Sequence, residues 1–187
     1  MNKIFEKLTN QLTETIDSSV ALALHNKNQE VEVIHLLWAL LSNTNSVLNQ
    51  LLNKMNVNKV AVELEAKSYA SKLPSVSSVT KESIKLSRNL LSSLQSAEGL
   101  MASFGDKFIA VDTWLISNLD SSVIKDVLGK YVDLKEAKKE LEAMRAGKTI
   151  DSNSGDENLE ALNKYGIDLN KKAIDGLLDP VIGRDEQ

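Results

Sequence analysis

Apolar residues recur along this chain at helical intervals, and they do so twice. Leu8, Leu12, Ile16 and Leu22 fall at steps of four, four and six residues, and Leu86, Leu90, Leu94 and Leu100 repeat those steps 78 residues later. Such spacing places each set on one face of a helix. The same shift lays residues 31–41 (VEVIHLLWALL) over residues 109–119 (IAVDTWLISNL), with Val33/Val111, Leu37/Leu115 and Leu41/Leu119 identical. After a slightly shorter loop in the second copy, Ser46, Val47 and Leu48 match Ser122, Val123 and Ile124. Each copy therefore predicts a long first helix, a second near 34–42 or 112–119, a third near 46–54 or 122–130, and a fourth near 58–72 or 134–145. β-Branched residues do not alternate between turns, so strands are not expected. The fold class is all-α, with eight helices in two pseudo-twofold four-helix repeats.

Pro74 and the serines beside it separate the copies, at about 1–73 and 79–145, because proline disfavours helix at Leu73 and serine caps the next one. Some 70 residues make a small core alone, so the repeats are expected to pack together and leave a groove at their interface. The domain should end at 145, with Gly147 stopping the last helix. Residues 146–156 (AGKTIDSNSGD) are rich in Gly, Ser, Asn and Asp and should form a mobile linker. Residues 157–165 and 168–177 again have helical character, and 146–187 reads as linker plus the start of another module.

Charge sharpens this division. Residues 1–145 hold 17 Lys/Arg against 17 Asp/Glu, whereas 146–187 hold 5 against 9, for a net charge of −4. A neutral globular part lacks the clustered cations of a nucleic-acid interface. No apolar run reaches membrane-spanning length, the N-terminus does not read as a secretory signal, and there is no cysteine, so a cytoplasmic protein is the expectation. His25 and His35 are the only histidines, too few for a zinc site, and His35 suits packing or capping within an apolar stretch. No serine sits in a Gly-x-Ser-x-Gly elbow. Gly147, Lys148 and Thr149 lack the upstream glycine and the strand of a phosphate-binding loop. No catalytic residue, metal site or cofactor is expected in this chain.

Residues 178–185, LDPVIGRD, preceded by the Tyr165 to Leu169 stretch, resemble the entry to the first AAA+ module of the ClpB disaggregase family, and the double repeat is similar to Clp N-terminal domains. The resemblance implies an N-terminal domain that captures unfolded or aggregated polypeptides for an ATPase ring. It further implies a full-length homohexamer using ATP and Mg and cooperating with a DnaK-type chaperone, with this chain alone a monomer. Val181, Ile182 and Gly183 match a segment that contacts adenine only in the complete module. The alternative is an adaptor-docking domain of a Clp protease unfoldase.

Two sets of residues are candidates for binding substrate. The apolar set is Leu90, Leu94, Ala97, Leu100 and Met101, part of which would stay exposed between the repeats, since capture of unfolded chains needs apolar surface; the competing reading is core. The polar set, implied by the resemblance, is Thr9, Asp106 and Asp112, with Lys107 expected to soften the charge of the two aspartates. Their structural readings are an early-helix residue, a turn former and a helix-start charge. Val33 and Val111 stand where the family often has Thr, Ser or Pro, so capping there should fall to neighbours such as Glu32 or Asp112.

Overall fold

The structure, a computed structural model, describes residues 3–156. The helical expectations that lie beyond, and the 178–185 motif with Val181, Ile182 and Gly183, fall outside the described residues. A 3-10 turn at Lys3–Lys7 leads into the first repeat, α1 (Asn10–His25), α2 (Val33–Ser42), α3 (Val47–Lys54) and α4 (Lys59–Ser71). The second repeat is α5 (Arg88–Phe104), α6 (Val111–Asn118), α7 (Ser122–Val127) and α8 (Leu134–Arg145). Eight α-helices among the described residues match the predicted order, and α8 ends where Ala146 and Gly147 take positive φ.

Sequence sets the burial of each helix. In α2 every residue from Val33 to Leu41 is buried, as an apolar run with almost no polar face requires. That helix packs against α1, α3 and α4 of its own repeat and α5 and α7 of the other. Its counterpart α6 packs on α5, with Trp114 fully buried and its indole N–H donating to Ser93 Oγ at 2.9 Å. One apolar cluster runs through both repeats, from Leu12, Leu37 and Leu52 to Leu94, Leu115 and Leu141.

The repeats are also tied by their backbones, in a symmetric way. Short strands β1 (Glu30–Val31) and β2 (Lys85–Leu86) pair in parallel, with Val31 opposite Leu86. A parallel bridge joins Leu8 to Ile109, the same positions with the repeats exchanged. The Ser87 N–H donates to Val31 O at 2.9 Å and the Thr9 N–H to Ile109 O at 3.0 Å. Thus the residue capping the first helix of each repeat is fixed to the entry of the second helix of the other. These one- and two-residue pairings are too short to carry strand periodicity, which is why the sequence shows no sign of them.

Candidate functional site

The polar candidates converge at one crossing. Thr9 caps α1: its Oγ1 accepts from the Leu12 N–H at 3.2 Å, as a threonine in extended backbone ahead of a helix does. Gly105, at φ 76°, closes α5 in the left-handed conformation glycine tolerates best, and the turn it makes delivers Asp106. Asp112 lies in the first turn of α6. All three are buried, Thr9 completely and the aspartates to 7% exposure.

Arg145, the last residue of α8, holds the two aspartates. Its Nε and Nη2 donate to Asp112 at 2.9 and 2.6 Å, and its Nη1 donates to Asp106 at 2.7 Å. Nη2 also donates to Thr113 Oγ1 at 3.0 Å, and the guanidinium lies 5.2 Å from the centre of the Phe104 ring. Burial works against the charge on Arg145, but hydrogen bonding and charge from Asp112, then Asp106, outweigh it and raise the guanidinium above its ordinary value. Arg145, not Lys107, neutralises this pair; Lys107 is exposed. A lone Arg at the end of a charged helix gave no sign in sequence of a role so far from its neighbours.

Residues 146–156, expected to be mobile, fold back over this cluster. The Lys107 N–H donates to Ile150 O at 2.8 Å, the Ile150 N–H to Asp106 Oδ1 at 2.9 Å, and the Asn10 N–H to Asn153 O at 2.7 Å. Ile150 is 1% exposed, and a Cβ on Gly155 would come within 2.8 Å of its Cγ2. Composition alone predicted a mobile linker, but Ile150 supplies apolar burial, and Lys107, Asp106 and Asn10 supply hydrogen-bonding partners on the domain.

Asp156 completes the arrangement. Its Oδ2 accepts from Thr9 Oγ1 at 2.7 Å and from the Val111 N–H at 3.3 Å, so one carboxylate joins the N-terminal ends of α1 and α6, where helix dipoles favour negative charge. The N-cap of α6 is Ala110, which has no capping side chain; the cap comes from Asp156, 45 residues away, and not from Asp112 as expected. Oδ1 of Asp156 is buried with no hydrogen-bond partner among the described residues. Burial pushes the Asp156 pKa up to about 6, and the nearby Asp112 adds to the rise, while the Thr9 and Val111 hydrogen bonds oppose it. In the first repeat the cap is local: Glu32, at the position matching Ala110, forms a capping box with His35 at the start of α2. There the Glu32 N–H donates to His35 Nδ1 at 2.9 Å and His35 Nε2 bonds Asn28 Oδ1 at 2.9 Å, and burial lowers His35 to about 4, leaving it neutral. His35 is a capping and packing residue.

The apolar candidates sit elsewhere. Leu90, Leu94 and Ala97 are fully buried and belong to the central cluster, and Met101 is 9% exposed. Leu100 is half-buried, as are Phe104 one turn further along α5 and Leu91 near its start, and Leu100 and Phe104 pack against the edge of the central cluster. The 3.6-residue period that identified these positions marks the face turned inward, and it carries no information on which end of that face reaches solvent. A cleft of about 360 Å³ opens beside the polar crossing, lined by Gln11, Glu14 and Thr15 of α1, Ser46 and Val47 at the start of α3, and Val111 of the other repeat. No group of acidic, histidine or cysteine side chains among the described residues is arranged to hold a metal, and no described helix is long and apolar enough to cross a membrane.

The two-repeat helical architecture has counterparts among known proteins, and the family profile described as the Clp repeat (R) N-terminal domain matches residues 7–131. The chain belongs to the Clp N-terminal repeat family. Chaperone protein ClpB of Wolinella succinogenes is 57% identical over 183 residues, covering 98% of this chain and 21% of that protein. ClpB of Helicobacter hepaticus is 53% identical over 184 residues, with the same coverage of 98% and 21%. The chain thus spans about a fifth of the length of these curated relatives. Among solved structures, the Hsp104 N-terminal domain from Candida albicans superposes with a TM-score of 0.73 at 22% identity, covering 80% of this chain and 99% of that one. A ClpV N-domain solved in complex with a VipB peptide superposes with a TM-score of 0.60 at 17% identity, covering 78% of this chain and 91% of that one. The two solved structures bear on fold alone; the ClpB relatives place the domain among chaperone N-terminal domains.

Proposed function

We propose that this domain engages unfolded or aggregated polypeptides and passes them to the AAA+ ring of a ClpB-type disaggregase. The observation that carries this reading is that Thr9, Asp106 and Asp112, drawn from three parts of the chain, gather at one end of the domain, Thr9 joined through Asp156 to the start of α6 and the two aspartates held by Arg145 at the end of α8. Half-buried Leu100 and Phe104 lie on α5 leading into that end, and a polar cleft opens alongside it at Val111. Apolar side chains beside hydrogen-bonding groups suit weak, reversible contact with exposed segments of many sequences. In this reading the deeper residues Leu90, Leu94, Ala97 and Met101 support the site from within. ATP and Mg binding, hydrolysis, hexamer contacts and cooperation with a DnaK-type chaperone belong to the rest of the full-length protein, which acts in the cytoplasm. The chain by itself binds no cofactor and remains monomeric.

A competition by fluorescence anisotropy tests the reading. A labelled, permanently unfolded protein is titrated with the 187-residue chain and then displaced with unlabelled protein, unfolded or folded. Displacement by the unfolded form alone is the expected result. No anisotropy change, or equal displacement by the folded form, would contradict capture of unfolded chains and turn the search toward a folded adaptor.

A further inference from the structure

The end of the domain that best fits a binding site is already covered, and the cover is the chain's own segment. We propose that residues 148–156 form a strap that occupies this site in cis, so that strap release and polypeptide binding are coupled. The inference rests on the capture reading above and adds a competitor to it.

The strap is held by the kinds of contact an incoming polypeptide would make. Its carbonyls at Ile150 and Asn153 accept from the backbone N–H groups of Lys107 and Asn10, its Ile150 side chain is buried, and its Asp156 carboxylate meets Thr9 Oγ1 and the Val111 N–H. These are main-chain donors, an apolar seat and a carboxylate seat. Their occupant is a segment carrying an aliphatic residue followed by an acidic one. While it is docked, Thr9 is inaccessible and Asp106 is engaged through both oxygens, by Arg145 and by the Ile150 N–H.

An internal comparison explains why this segment is releasable. In the first repeat the stretch after α4 makes a similar return, with the Asn28 side-chain N–H donating to Pro74 O at 3.1 Å and the Val76 N–H to Lys27 O at 2.8 Å. Asn28 corresponds to Asp106 under the 78-residue shift. That stretch continues into β2 and α5. Its partners are also neutral, Asn28 against a neutral His35. The strap instead brings a third carboxylate to a cluster of Asp106, Asp112 and Arg145, and Asp156 Oδ1 has no hydrogen-bond partner among the described residues. Burial and the facing Asp112 charge make the ionised form of Asp156 costly there. The docked strap is therefore weaker than its counterpart, while its removal leaves the central cluster intact, because Ile150 is buried outside that cluster.

Two variants of the 187-residue chain test the coupling. Ile150→Ser should release the strap, seen as loss of hydrogen-exchange protection at the Asn10 and Lys107 amides. Asn10→Cys with Asn153→Cys, oxidised, should lock it, with the reduced form as control. Affinity for the labelled unfolded protein is expected to rise several-fold in Ile150→Ser, as it must when the competent state becomes the populated one, and to fall about tenfold or more on locking. Equal affinity of locked, reduced and Ile150→Ser forms would overturn the strap and leave capture standing. Absence of binding by every form, with the exchange differences intact, would instead overturn capture, and the coupling with it. Exchange at the Asn10 and Lys107 amides as fast in the unsubstituted chain as in Ile150→Ser would contradict the docked strap itself.

Discussion

Replacing Arg145 by Met would leave Asp106 and Asp112 buried without a cation, since both oxygens of Asp112 and one of Asp106 lie on that guanidinium. Breaking a buried pair in this way costs roughly 3–5 kcal/mol, which urea unfolding of Arg145→Met would register as a fall in midpoint at unchanged slope. Asp156 gives a second prediction at the same scale. Its pKa is about 6 when docked against an ordinary 3.8, so the docked state binds the proton more tightly. Protonation then contributes fully to docking below the ordinary value and loses that contribution as pH rises through about 6. The group facing Asp156 is Asp112, itself paired with Arg145, and Thr9 and Val111 supply uncharged donors. Amide protection at Asn10 and Lys107, corrected for intrinsic exchange, should fall between about pH 5 and about pH 7 and should stay level in Asp156→Asn. Protection independent of pH in the unsubstituted chain would contradict the burial of that carboxyl.

Helix termini show how far sequence reaches and where it stops. Thr9, Ser46, Asn58, Ser87 and Asp133 cap the helices that follow them, and each is a residue type that announces this role locally. Thr9→Ala should cost about 1–2 kcal/mol by thermal or urea unfolding and should loosen the strap as well, whereas Thr9→Ser should keep both functions. Its symmetry mate supplies a control: Ser87→Ala should lower stability similarly without changing strap protection, because Ser87 caps α5 far from residues 148–156. At α2 the expected neighbour serves, since Glu32 forms a local capping box with His35. The start of α6 was not legible: Ala110 has no capping side chain, and the Val111 donor is met by Asp156, a contact set by tertiary folding. The strap stayed hidden for the same reason. Ser, Gly and Asn around Ile150 signal a loop, and only the folded surface reveals that the loop has somewhere to bind.

The duplicated apolar pattern was sufficient to define the described residues as two four-helix repeats, because shared positions such as Leu12 and Leu90 or Leu37 and Leu115 are buried in both. It did not define the exchange of β1 and β2 between repeats, which ties Thr9 to Ile109 and Ser87 to Val31. That exchange, with a single apolar cluster, predicts that both repeats unfold together. Leu94→Ala, in the second repeat, should lower stability by roughly 2–5 kcal/mol and shift the transition of Trp38 in the first repeat equally; separate transitions would contradict a shared core. Of the polar candidates, Asp106 and Asp112 meet on Arg145 and Thr9 meets Asp156, and the apolar ones divided by depth, with Leu100 half-buried and Leu90 and Leu94 sealed. The most direct test of polypeptide capture at this end of the molecule is a residue-resolved NMR titration of the chain with a permanently unfolded protein and with the same protein folded. Capture predicts shifts, seen with the unfolded form only, at the N-terminal turns of α1 and α6, the last turns of α5 and residues 148–156. Shifts confined to other surfaces, or identical with the folded protein, would contradict it.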